Sequence, residues 1–220
     1  MVLYDVRPPP EIEPGLYVAD VLNTYQEFIL RDNHISGVVS LVGNGCSLWQ
    51  QQKFKRHVKH HLWIRCDDTE TQDLIKHMNI FCDFLDEVYA TPRNSTASPF
   101  GRPGGHGGHQ AVLGGSVVLV HCEGGVSRSP TMVIACLMRK YGKSRDAVLA
   151  EVKGKRKIRP NPGFMDQLEV WEQVQYQPWE DKEKTIPKAP YKAYLERRAV
   201  LLREKGLTGD ELPGMQTLDF

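Results

Sequence analysis

The chain has 220 residues, 40% of them hydrophobic, enough for one sizeable core with extensions attached to it. Its 28 Lys and Arg balance 27 Asp and Glu to a net charge of +1, so charge gives no argument for broad attraction to nucleic acid or to a membrane surface. Five cysteines are scattered at positions 46, 66, 82, 122 and 136 without a Cys-x-x-Cys pair, so neither a zinc ribbon nor a disulfide framework is suggested.

Residues 1–10 lack the long apolar region of a signal peptide, and no apolar run approaches membrane-spanning length. The expectation is an intracellular protein of the cytoplasm or nucleus, where free thiols stay reduced. Residues 1–9 read as an N-terminal extension, with Pro8-Pro9-Pro10 as a short polyproline II segment or plain linker. A turn at Pro14-Gly15 leads into a strand over 16–19. Asp20 is placed to cap a helix over 21–31, with Leu22, Tyr25, Phe28 and Ile29 recurring at helical spacing. Residues 36–42 read as a second strand, so the chain opens as strand, helix, strand.

Gly43-Asn44-Gly45 breaks the pattern, and 50–61 is polar and basic, with Lys53, Lys55, Arg56, Lys59, His57, His60 and His61. It reads as a solvated face; no carboxylate or cysteine completes the three histidines as a metal site. A third strand over 61–66 runs into Asp67-Asp68-Thr69-Glu70. A strongly amphipathic helix is predicted over 71–90, burying Leu74, Ile75, Met78, Phe81, Cys82, Leu85, Val88 and Tyr89. Residues 91–115 are rich in glycine and proline and hold little that can be buried; they read as a surface insertion, with His106 and His109 as polar loop residues.

Everything so far leads to Val117-Val118-Leu119-Val120-His121-Cys122-Glu123-Gly124-Gly125-Val126-Ser127-Arg128-Ser129-Pro130. The apolar, β-branched run predicts a buried strand ending at a His-Cys pair. Pro130 then suits the first turn of an apolar helix, Thr131-Met132-Val133-Ile134-Ala135-Cys136-Leu137-Met138. A glycine-rich loop between a strand and a helix N-terminus makes an anion site from inward N–H groups and the helix dipole. A cysteine there is stabilised as its nucleophilic thiolate. Arg128 brings a planar fork that suits two phosphate oxygens, and Ser129 can donate to the sulfur.

After this helix, Gly142 marks a C-terminus, and Ser144 caps a helix over 145–152 with Ala147, Val148 and Val152 inward. Residues 153–157 form a basic patch. Asn161-Pro162-Gly163 turns into a helix over 164–176 that buries Leu168, Trp171 and Val174. The extension 178–220 carries a helix over 191–205 with Tyr191, Leu195, Ala199 and Leu202 on one stripe, ended by Gly206. Packing on the domain is its expected role, and a binding partner its other reading.

Residues 121–129 fit the signature His-Cys-x5-Arg-Ser/Thr. With Arg128-Ser129-Pro130 and Ile158-Arg159-Pro160-Asn161-Pro162-Gly163-Phe164, the chain resembles the dual-specificity phosphatases of the protein tyrosine phosphatase superfamily over most of 10–177. The resemblance implies an α/β fold, a central mixed, mostly parallel sheet flanked by helices, for a catalytic domain at 10–177 carrying the 91–115 insertion. That insertion departs from relatives, which join the same elements by a shorter turn. It implies hydrolysis of phosphotyrosine and phosphoserine or phosphothreonine in proteins through a phosphocysteine. Cys122 is then the nucleophile, Arg128 and Ser129 its catalytic neighbours, and Glu123, Gly124, Gly125, Val126, Ser127 and Arg128 the phosphate loop. His121 and Asn161 are supporting residues. The general acid falls on the loop after the third strand, where Asp67 and Asp68 compete; alignment of Ile64-x-x-x-Asp68 favours Asp68, with Glu70 next. No cofactor or metal is implied. The implied partner is a phosphorylated protein, with no nucleic acid and no membrane. Phosphatase action on a phosphoinositide or RNA 5′-phosphate is the alternative, against which the acidic Glu123 argues; a non-catalytic phosphoprotein-binding module is weaker, because Cys122, Arg128 and an Asp are all present.

Overall fold

In a computed structural model of the protein, residues 8–44, 51–91, 116–209 and 211 are described. Cys46, the 91–115 insertion beyond Thr91, and the histidines at 106 and 109 lie outside the described residues. The strands are β1 (Glu11–Glu13), β2 (Leu16–Ala19), β3 (Ile35–Leu41), β4 (His60–Ile64) and β5 (Val117–His121). The helices are α1 (Val21–Thr24), α2 (Glu27–Asp32), α3 (Gln52–Lys55), α4 (Ile75–Ala90), α5 (Arg128–Tyr141), α6 (Arg145–Lys155), α7 (Pro162–Gln173) and α8 (Ala189–Glu204).

One sheet has the order β1-β2-β5-β3-β4. β1 pairs antiparallel with β2, and β2–β5, β5–β3 and β3–β4 are parallel. This is the mixed, mostly parallel α/β fold the sequence implied, and it places β5 at the centre. Side chains alternate across the sheet, as a period of two requires. Leu16, Val18, Val39, Leu41, Val118 and Val120 join the large core under α4–α8, while Ala19, Val38 and Leu119 face a smaller cluster closed by Leu30 of α2 and Phe54 of α3. A central strand buried on both faces reads as an unbroken apolar run, which is why β5 was legible.

Several predicted boundaries shift, each for a local reason. The helix expected over 21–31 is two short ones, because Gln26 takes an extended conformation (φ −96°, ψ 105°) and the apolar stripe does not continue across it. Leu22, Tyr25 and Phe28 are therefore exposed; Ile29 is buried as expected, and Leu30 beside it is buried too. Asp20 does cap α1, accepting from Asn23 N at 2.9 Å. α4 begins at Ile75 rather than 71, because Asp73 Oδ1 accepts from Ile75 N at 2.9 Å and leaves 66–74 as a loop. α5 begins at Arg128, two residues before Pro130. Ala147 is exposed, since its position in the first turn of α6 faces solvent. α7 stops at Gln173 because Gln175 and Tyr176 adopt left-handed backbone, with Tyr176 N donating to Trp171 O at 3.0 Å.

Trp171 is fully buried and its indole Nε1 donates to Ala135 O at 3.0 Å, locking α7 to α5. α8 packs on this same core. Its buried residues are Tyr191, Tyr194 and Leu202, so Tyr194 replaces the predicted Ala199, which is exposed. Trp179 meets Tyr191 edge-on at 5.4 Å between ring centroids, and Tyr191 stacks on Tyr194 at 6.1 Å. No helix among the described residues is long and apolar enough to cross a membrane.

Candidate active site

The loop from Cys122 to Ser127 joins the central strand to α5, at the carboxyl edge where open α/β sheets place their sites. Among the described residues, no backbone N–H of residues 123–128 donates to another protein group, so six consecutive donors remain for a ligand. Gly125 sets the loop's curvature. Its φ is +63°, and a Cβ there would lie 2.4 Å from both Ala19 O and Arg156 Nη2, so only glycine fits. Arg156 Nε donates to Gly125 O at 2.8 Å, Arg159 N donates to Val126 O at 2.8 Å, and Val21 N donates to Glu123 O at 3.0 Å. The loop's carbonyls are thus held from outside by α1 and by the segment after α6. Arg156 was legible only as part of a basic patch; its proximity to the Ile158–Phe164 motif was the one available signal.

Cys122 is buried, and Ser129 Oγ donates to its Sγ at 3.3 Å. Arg128 is 3% exposed. Its Nη1 donates to Cys66 O at 3.1 Å and its Nη2 to Glu123 Oε2 at 2.8 Å. Nε is buried and has no partner among the described residues. An unpaired buried donor costs about 1–3 kcal/mol, a deficit that a bound oxyanion removes. Burial opposes the Arg128 charge, but Cys122, Cys66 and Glu123 outweigh it and hold the guanidinium pKa above its ordinary value. Cys66 is a different kind of thiol: burial pushes it up to about 12, so it stays protonated beside the same arginine.

The loop after β4 meets the Cys122–Ser127 loop at Asp68. Its Oδ1 accepts from Ser127 Oγ at 2.8 Å and from Asn161 Nδ2 at 2.7 Å, while Asn161 N donates to Ser127 Oγ at 3.1 Å. Oδ2 accepts from no described residue. The carboxyl is therefore oriented through one oxygen and has the other for a proton. Asn161 also caps α7, its Oδ1 accepting from Phe164 N at 2.9 Å. The backbone N–H of Asp67 donates to Gln72 Oε1 at 3.0 Å, within its own loop. Glu70 lies near Lys205 of the tail, at 4.0 Å.

His121 sits beneath the loop, fully buried. Its Nε2 hydrogen-bonds Ser40 Oγ at 2.7 Å, Ser40 Oγ hydrogen-bonds His61 Nε2 at 2.9 Å, and its Nδ1 lies 3.4 Å from Cys122 O. Burial lowers the His121 pKa to about 3, so the ring is neutral and acts as a strut. His57 contacts Glu27 at 3.2 Å and His61 contacts Ser40, which separates the histidines of the basic segment. Hydrogen bonds bring Cys122, Glu123–Ser129, Asp68 and Asn161 together at the carboxyl end of β5. The Ser127 hydroxyl bridging the two loops had no sequence signal, because its partner lies 59 residues away.

Residues 109–174 match the family model described as the dual specificity phosphatase catalytic domain. Dual specificity protein phosphatase 1 of Arabidopsis thaliana is 30% identical over 166 residues, covering 75% of this chain and 69% of that protein. Dual specificity protein phosphatase 5 of Rattus norvegicus is 30% identical over 170 residues, 77% of this chain; the chain spans only 37% of that relative's length. The Yvh1 phosphatase domain from Chaetomium thermophilum superposes with a TM-score of 0.58 at 28% identity, covering 74% of this chain and 92% of that one. A cysteine followed by N–H groups with no partner among the described residues, a buried arginine with one such donor and an aspartate tied to the same loop stand together here, and with the sequence likeness they place the chain in the dual-specificity phosphatase family.

Proposed function

We propose that this chain hydrolyses phosphotyrosine and phosphoserine or phosphothreonine in proteins through a phosphocysteine. The observation that carries the reading is the buried Nε of Arg128 beside a cysteine followed by loop N–H groups, all without a partner among the described residues, a cradle suited to a tetrahedral oxyanion. The Cys122 thiolate attacks phosphorus and forms the S–P bond as the ester P–O bond breaks, and Asp68 gives its proton to the leaving oxygen. Asp68 then takes a proton from water, whose oxygen displaces the sulfur. The Ser129 hydroxyl, 3.3 Å from Sγ, stabilises the departing thiolate.

A protein substrate is supported by the charge at the rim. The loop has no Lys or Arg before Arg128, and its acidic side chain, Glu123, is 71% exposed and already paired to Arg128. That carboxylate disfavours a substrate carrying several phosphates. The test is a panel of phosphotyrosine and phosphoserine or phosphothreonine peptides run beside inositol phosphates and triphosphate-ended RNA. The expected result is peptide turnover, inhibited by vanadate and abolished in Cys122→Ser. Turnover confined to the inositol phosphates or RNA overturns the substrate class, and activity surviving in Cys122→Ser overturns the mechanism.

A further inference from the structure

The loop 66–74 that presents Asp68 is pinned from two sides, and one of them is the tail. At its start, Asp68 is held by Ser127 and Asn161. At its end, three residues of the last helical segment reach back to it. Tyr191 Oη donates to Asp73 Oδ2 at 2.8 Å, Arg198 Nε donates to Thr71 O at 2.6 Å, and Lys205 Nζ lies 4.0 Å from Glu70 Oε2. Between them, Gln167 of α7 accepts from Leu74 N at 2.7 Å and donates to Gln72 O at 2.8 Å, and Gln72 in turn accepts from Asp67 N at 3.0 Å. The chain of bonds runs from α8 to the residue preceding the acid.

We infer that α8 is a brace for the acid loop, with Tyr191 and Arg198 as positioning residues that hold Asp68 at the height of the leaving group. The inference rests on the phosphatase reading above. Asp73 is 3% exposed and uses both oxygens, Oδ1 to cap α4 and Oδ2 to receive Tyr191, so the end of the loop, the start of α4 and the start of α8 share one carboxylate. Burial raises the Asp73 pKa against the pull of the Tyr191 hydroxyl, a group that needs its partner. Tyr191 is itself wedged between Trp179 and Tyr194, which fixes its hydroxyl. The loop's other supports, Ser127 and Asn161 on Asp68 and Gln167 on Gln72 and Leu74, leave Thr71 and Asp73 to α8, while the contact of Glu70 to Lys205 is a solvent-exposed pair worth little.

A brace acts on proton donation, not on phosphate binding, and that distinguishes it from a merely structural helix. The experiment compares wild type, Tyr191→Phe, Arg198→Ala and Arg198→Lys. It measures kcat/KM, which reports only the steps through phosphocysteine formation, on a phosphoserine peptide and on an activated aryl phosphate. Amide hydrogen exchange across 67–74 is followed in the same proteins. The expected result is a loss of about 10–100-fold on the peptide, a misplacement effect, with under about 3-fold on the aryl phosphate. Exchange across 67–74 should quicken while that of β5 holds, and Arg198→Lys, which keeps a donor for Thr71 O, should recover most of the loss. Equal losses on both substrates, no loss on either, or unchanged exchange overturns the brace. If Tyr191→Phe does not fold, the half-buried Arg198 pair of variants decides alone. A wild type inactive on both substrates overturns the phosphatase reading instead, and the exchange arm then decides the brace.

Discussion

Asn161 Nδ2 donates to Asp68 Oδ1 at 2.7 Å across a sequence separation of 93 residues. This bond, with that from Ser127, ties Asp68 to the loop that follows Cys122, which favours Asp68 as the proposed acid. Asp68→Asn is expected to lower kcat/KM on a phosphoserine peptide by about 10²–10⁴-fold, the range for loss of a positioned general acid. The loss should shrink on an activated aryl phosphate, whose leaving oxygen needs little protonation. Asp67→Asn should change both substrates by less than about 5-fold, well under that range. Steady-state kinetics of the two variants side by side check this, and the reverse ranking would move the acid to Asp67.

The Ser127 hydroxyl donates to Asp68 Oδ1 and accepts from Asn161 N, so one atom couples two loops. Ser127→Ala removes both bonds at once and is expected to destabilise the fold by about 1–3 kcal/mol. Asn161→Ala also removes the cap of α7, for about 0.5–2 kcal/mol. The double variant should lose less than the sum, because the two side chains serve the same carboxylate. Urea unfolding of the four proteins provides the cycle, and strict additivity would show that the residues act independently.

Gly124 and Gly125 are adjacent and should respond in opposite ways to alanine. At Gly124 the nearest atom to a new Cβ is Val126 Cγ2 at 3.8 Å, ordinary contact. At Gly125 the Cβ meets the Ala19 carbonyl and Arg156 at 2.4 Å on a backbone with φ of +63°. The left-handed conformation alone costs about 1–3 kcal/mol, and backbone must move besides. Gly125→Ala is expected to lower the melting temperature and abolish vanadate binding, whereas Gly124→Ala should keep both. Calorimetry with and without vanadate makes the comparison.

What the sequence disclosed and what it hid divide by range. The phosphate loop was legible because Cys122, Arg128 and Ser129 lie within one strand–loop–helix unit, and the unit's chemistry is local. β5 and α4 were legible because their apolar periodicity matches what covers them. The helix over 21–31 misled because Leu22, Tyr25 and Phe28 have the right spacing but the sheet's second face is small, closed by Leu30 and Phe54. Spacing reports a stripe, not the presence of something to bury it. The tail's stripe failed at Ala199 for a related reason: the residues that matter, Tyr194 and Arg198, are amphipathic, with polar ends and long apolar bodies. Ser127 to Asp68, Tyr191 to Asp73 and Arg198 to Thr71 join segments that no local pattern connects.

The buried His121 and the half-buried His77 make stability depend on acid. Burial lowers His121 to about 3 and His77 to about 4, both from an ordinary value of 6.5. Between those values and 6.5 the unfolded chain holds a proton that the folded chain does not, so folding stability falls as pH drops below about 6.5 and stops falling once the folded rings protonate. From pH 6.5 to 4.5 the window contributes up to about 2–3 kcal/mol for His121, at about 1.4 kcal/mol per unit. Asp73 works the other way: its raised pKa lets the folded state keep a proton that the unfolded chain has released, so it offsets part of the loss in the carboxylate range. For a chain of this size the His121 effect corresponds to about 5–10 °C in melting temperature. Thermal unfolding of wild type and His121→Gln from pH 7.5 to 4.5 tests this. The variant starts lower, because its contacts with Ser40 and Cys122 change, but its melting temperature should fall less steeply with acid. Parallel curves for the two proteins would mean that His121 titrates the same folded and unfolded, and that the strut beneath the phosphate loop is not held neutral by its burial.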